Sequence, residues 1–113
     1  MTDKGKKYLS DMLSSIIHFQ SFTEGITSFD QYRNNFLIKS AVERHLGIIG
    51  EAVNKYLKVS AKNILLNSKR IISLRNRLIH SYDSLDDRII WNIIKRHLTL
   101  FKEEVERKLN SNV

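Results

Sequence analysis

Between Lys6 and Phe22 apolar side chains return every three or four positions, at Tyr8, Leu9, Met12, Leu13, Ile16, Ile17 and Phe19. That interval matches the turn of an α-helix and predicts a first helix with one apolar stripe. Gly25 is its expected end. Ser28 and Gln31 have the spacing of a capping box and predict a short helix through Tyr32. From Asn35 to Lys58, Val42, Leu46, Ile49, Val53 and Tyr56 alternate steps of four and three, and Ala41, Ile48 and Ala52 widen the arc. An arc that broad predicts a central helix packed on more than one side. Gly47 and Gly50 sit inside it at a helical cost of roughly 1 kcal/mol each against Ala. The expected return is close approach by a neighbouring helix.

Val59 to Asn67 shows no clear period. A fourth helix is expected over Lys69–Tyr82, broken by Asp83-Ser84. Ser84 with Asp87 repeats the capping-box pattern and introduces a fifth helix to Leu109. Ile90, Ile93, Ile94, Leu98, Phe101, Val105 and Leu109 would line its inner face. No repeat, low-complexity block or domain boundary interrupts the chain, and only residues 110–113 read as a frayed tail. Residues 1–113 are therefore expected to form a single all-α domain, an antiparallel bundle of four to five helices.

Composition narrows this reading. The absence of Pro, with only four Gly, leaves little of the turn punctuation that strands need. The absence of Cys removes disulfides, thiolate zinc sites and a cysteine nucleophile, and for so small a domain it favours the cytoplasm. The charged N-terminus leads into no long apolar region, so neither a signal peptide nor a membrane span is expected. A formal net charge of +7 favours phosphate backbones or an acidic partner.

The stretch that carries chemistry is Ser73-Leu-Arg-Asn-Arg-Leu-Ile-His-Ser-Tyr-Asp83. Ile71, Ile72, Leu74, Leu78 and Ile79 define its apolar arc, and both Arg75 and Tyr82 fall within that arc. A charge among aliphatics needs a partner or a purpose; Glu51 on the long helix is the expected partner. Asn76 and His80 share a different face. Arg75 and His80 diverge by about 140° on an ideal helix. For both to act on one substrate, the helix end must distort, the Arg must swing, or a second subunit must complete the site. By spacing alone, plainer readings also stand. Arg75 would be a paired structural cation, His80 a helix-terminal residue favoured by the dipole, and Tyr82 a rim aromatic. Arg70, Arg77, Arg88, Lys95 and Arg96 would be a solvated face. No compact helix-turn-helix with polar recognition positions argues for DNA binding.

Arg75-Asn-Arg-Leu-Ile-His80-Ser-Tyr82 resembles the Arg, four residues, His, one residue, Tyr signature of the HepT-like toxins of the HEPN superfamily. Ile48-Ile-Gly-Glu-Ala52 resembles that family's Gly-Glu-Ala segment, and Ile89-Ile-Trp-Asn-Ile-Ile94 its last helix, so the likeness spans Phe36 to Leu109. The family's Pro- and Trp-containing stretch between the third and fourth helices has no counterpart in Val59–Asn67. The resemblance implies a homodimeric, metal-independent endoribonuclease, the toxin of a type VII-like toxin–antitoxin pair. His80 would be the acid/base, Arg75 would stabilise charge on the phosphorane, and Asn76 would orient them. Arg70 and Arg77 would hold the RNA backbone. It further implies that a partner, a minimal nucleotidyltransferase of the MntA type using ATP and Mg²⁺, adenylylates Tyr82. No cofactor or metal is expected in this chain itself. The alternative is a non-catalytic helical subunit that binds and regulates such a nucleotidyltransferase.

Overall fold

The computed structural model describes residues 2–60, 65–80 and 86–110, and of Leu74, Leu78, Ile79 and His80 the backbone alone. The first helix, α1 (Asp3–Thr23), begins where the Thr2 hydroxyl accepts from the Gly5 amide at 3.0 Å. It ends without a left-handed glycine. Glu24 stays right-handed, its amide bonds to Ser21 O, and the Ile26 amide bonds to Thr23 O. Gly25 therefore follows a tightened last turn rather than closing the helix itself.

Ser28 caps α2 (Phe29–Arg33) by accepting from the Gln31 amide. The reciprocal half of the capping box is displaced by one residue, because Gln31 Oε1 accepts from the Thr27 amide at 2.8 Å. Asn35 caps the long α3 (Phe36–Val59) through its side-chain oxygen. α3 packs against α1, α2 and α4 and is the central element. Val42, Leu46, Ile49, Val53 and Tyr56 are fully buried. Ile48 is the exception to the expected arc. It lies 41% exposed, beside Gly47 at the edge where α3 faces solvent.

α4 (Lys69–His80) follows a short connection whose described part is held from a distance. The Leu66 and Asn67 amides both donate to the carboxylate of Glu104, which is buried in the last helix. The start of the final rod also differs from its expectation. Asp86, not Ser84, is the N-cap of α5 (Asp87–Asn92), accepting from the Arg88 amide at 2.9 Å; Ser84 lies outside the described residues. Lys39 ties this end to α3 through Asp87 at 3.0 Å.

α5 runs into a π turn at Ile93–His97 and on into α6 (Leu98–Asn110). The Leu98 amide reaches back five residues to Ile93 O. That extra residue brings Ile93 and Leu98, five apart, onto the same buried face with Ile90, Phe101 and Val105. Among the described residues there is no strand, and the architecture is an all-α bundle. No helix among them is long and apolar enough to cross a membrane.

Candidate active site

Arg75 projects from α4 onto α3 at Gly50, where α3 has no side chain to obstruct it. A Cβ built on Gly50 would lie 2.4 Å from Arg75 Cβ and 2.7 Å from its Cγ. The glycine therefore lets the arginine stem lie against the α3 backbone. Gly47, one turn earlier, has nothing within 4 Å of such a Cβ, so close helix approach explains Gly50 and not Gly47.

From this seat the guanidinium reaches Glu51. Arg75 Nη2 donates to Glu51 Oε2 in a pair that is half-open to solvent. Nη1 makes a long contact with Asn76 Oδ1 at 3.4 Å. Nε is buried and has no hydrogen-bond partner among the described residues. The pair thus fixes the arginine through one nitrogen and leaves donors unsatisfied, an arrangement suited to an additional anionic oxygen.

The remaining sequence-predicted residues divide by face. Arg70 and Arg77 line a cleft of about 220 Å³ between α4 and α5, on the other side of α4 from Glu51. Arg70 Nη1 donates to His97 Nε2 at 2.7 Å, so that nitrogen of His97 carries no proton. Burial, then Arg70 and Arg96, push the His97 pKa down in agreement. Asn76 is exposed, and Arg77 is exposed one position beyond it. α4 is helical as far as His80, so the divergence of about 140° between positions 75 and 80 persists in the backbone. The His80 side chain and the whole of Tyr82 lie outside the described residues. Among the described residues no three His, Asp or Glu side chains converge as metal ligands.

Arg75 also borders a groove of about 710 Å³ between α1 and α3, part-way along it beside Gly50 and Glu51. One end of the groove holds His18 and His45, which the sequence did not single out. His45 Nδ1 is hydrogen-bonded to Ser15 Oγ at 2.9 Å, and its ring lies 6.2 Å from His18 and 5.2 Å from Phe22. Burial, followed by His18 and Arg44, lowers the His45 pKa. No local spacing could have found this group, because it depends on how α1 and α3 are aligned in space.

The model of the ribonuclease HepT-like family matches residues 12–108, a span that includes the Gly50-Glu51 segment, Arg75 and the end of α4. The chain belongs to the HepT-like family. It is 37% identical over 103 residues to a protein of Methanocaldococcus jannaschii named "Putative RNase MJ1380", covering 89% of this chain and 93% of that protein. It is 31% identical over 111 residues to one of Thermococcus cleftensis named "Probable ribonuclease HepT", covering 90% of this chain and 93% of its length. No solved structure matches. Among HepT-like features, the Gly-Glu-Ala segment has here a physical meaning: Gly50 admits the Arg75 stem, Glu51 holds its head group, and Ala52 is buried.

Proposed function

We propose that this HepT-like chain is the toxin of a toxin–antitoxin pair, an endoribonuclease that cleaves RNA by attack of a ribose 2′-oxygen on the adjacent phosphorus. The observation that carries this reading is Arg75, held on α3 by Glu51 with an unpartnered Nε and a weakly engaged Nη1. The weakly engaged Nη1 suits a phosphate oxygen and would oppose the charge that grows on it in the phosphorane. His80 takes the 2′-hydroxyl proton and returns one to the leaving 5′-oxygen, work for which an imidazole is the suited side chain near neutral pH. The P–O2′ bond forms and the P–O5′ bond breaks, leaving a 2′,3′-cyclic phosphate and a 5′-hydroxyl. Every proton moves through imidazole, so the reaction is proposed as metal-independent.

Because positions 75 and 80 diverge along a regular helix, the reading includes a homodimer in which one chain supplies Arg75 and the other His80. Adenylylation of Tyr82 by a partner nucleotidyltransferase would place negative charge and bulk two residues from His80 and so silence the enzyme.

Expression without a partner tests this, with growth and RNA integrity followed together. Wild type should arrest growth and leave cyclic-phosphate ends, and His80→Ala should do neither. Mixing purified Arg75→Ala and His80→Ala chains should restore up to about a quarter of the wild-type rate if the sites are shared between subunits. If wild type and His80→Ala are equally harmless while folded, the chain is instead a helical subunit that binds and regulates a nucleotidyltransferase.

A further inference from the structure

The groove between α1 and α3 has a chemistry that neither the fold nor Arg75 requires. Gly47 sits in its floor. A glycine inside a helix costs roughly 1 kcal/mol against alanine, and at position 47 no protein atom lies where a Cβ would be. What its missing side chain preserves is the open space of the groove itself. Ser14, Ser15 and Ala52 are further small residues of its lining.

The rim is cationic. Lys7 is offset by Asp11 at 3.6 Å and Arg75 by Glu51, but among the described residues neither Arg44 nor Lys55 has a carboxylate partner, and both are exposed. At the Arg44 end His18 and His45 line the groove, with Phe22 packed behind the His45 ring and His18 exposed. Ser15 fixes the His45 ring. Lys55 and Arg44 are eleven positions apart on α3, so the groove extends for about 16 Å. A volume of about 710 Å³ is ample for a ligand of nucleotide size.

Imidazole rings at one end, the unpaired Arg44 and Lys55 towards either end and the Arg75 guanidinium between them fit a chain of bases and phosphates. Tyr8, Ile48 and Ala52 give the lining apolar surface as well, but a subunit that covered the groove's whole length would bury Arg44 and Lys55 without carboxylate partners among the described residues. We propose that this groove is an RNA-strand subsite holding the nucleotides next to the bond cleaved at Arg75, with His18 as a base platform and Arg44 and Lys55 as phosphate contacts. The position of the cleaved bond rests on the ribonuclease reading above; the groove as an RNA site does not.

The test is binding of a fluorescent 2′-O-methyl single-stranded RNA, which cannot be cleaved, to the full chain by anisotropy. Gly47→Leu fills the groove with a better helix former, so it should melt at or above the wild-type temperature while losing affinity by at least about tenfold. Arg44→Gln with Lys55→Gln should weaken binding by at least about tenfold, whereas Arg107→Gln on α6, one charge away from the groove, should change it less than about threefold. Absence of wild-type binding, or retention of wild-type affinity by both groove variants, overturns the proposal. So does a drop in solution mass on Gly47→Leu, which would make the groove a contact between copies. If groove variants lose the oligonucleotide but wild type cleaves no unmodified RNA, the groove stands and the ribonuclease reading falls. If cleavage persists while groove variants bind normally, the reverse holds.

Discussion

At position 50 an added methyl group would meet the Cβ and Cγ of Arg75, atoms too close to the α4 backbone to swing aside. Gly50→Ala gains roughly 1 kcal/mol of helix propensity but overpacks the α3–α4 contact by about 1–3 kcal/mol. The expected net loss is up to about 2 kcal/mol, seen as a melting temperature lower by up to roughly 10 °C. RNA cleavage should fall further than stability does, because the helix carrying Arg75 is the part displaced. Gly47→Ala meets nothing and should instead raise the melting temperature by a few degrees. Equal effects of the two substitutions would sink this account. The two glycines look alike in the sequence, three residues apart on one helix, and only the position of α4 separates them. Arg75 was legible because a charge interrupts an aliphatic arc, and Glu51 was the acid named for it. The ring cluster of His45, Ser15 and Phe22 was not legible, since its members come from two helices whose alignment no local period encodes.

Among the elements, helix identity followed from apolar period almost throughout, and the departures arise where one element bonds to another. Glu104 is the clearest case. It occupies an inner position of α6, only 4% exposed, and its carboxylate accepts from two backbone amides of the connection before α4. Period reading treats an acid there as an irregularity, because its partners lie nearly forty residues earlier. Removing it leaves two part-buried amides without their charged acceptor, which water can replace only in part. Glu104→Ala should therefore cost about 1–2 kcal/mol, with faster amide exchange at Leu66 and Asn67 as the local signature. Unchanged exchange at those two amides would refute the assignment. The π turn is a departure of another kind. The step of five from Ile93 to Leu98 is present in the sequence, but Ile94 supplies a step of four that lets an uninterrupted helix be read through it. Burial decides between them: Ile93 is 2% exposed and Ile94 only partly buried.

Across the whole molecule the surplus of positive charge sets a pH dependence. The formal net charge is +7, and two described histidines are held below their ordinary pKa. For His45 the causes are burial, then His18 and Arg44; for His97 they are burial, then Arg70 and Arg96. In the unfolded chain both take up protons near pH 6.5, whereas the folded protein resists until lower pH. Below the ordinary histidine pKa the unfolded state thus binds more protons, so stability is full above it and declines as pH falls through it. Protonation of His97 would also convert the acceptor of Arg70 into a second cation beside it. Glu43 acts oppositely, its carboxyl raised by burial. The melting temperature should therefore drop between pH 7.5 and 5.5 at fixed ionic strength, and the double variant His45→Gln, His97→Gln should flatten that slope. A wild-type melting curve indifferent to pH over this range would mean that neither imidazole is held neutral by the fold.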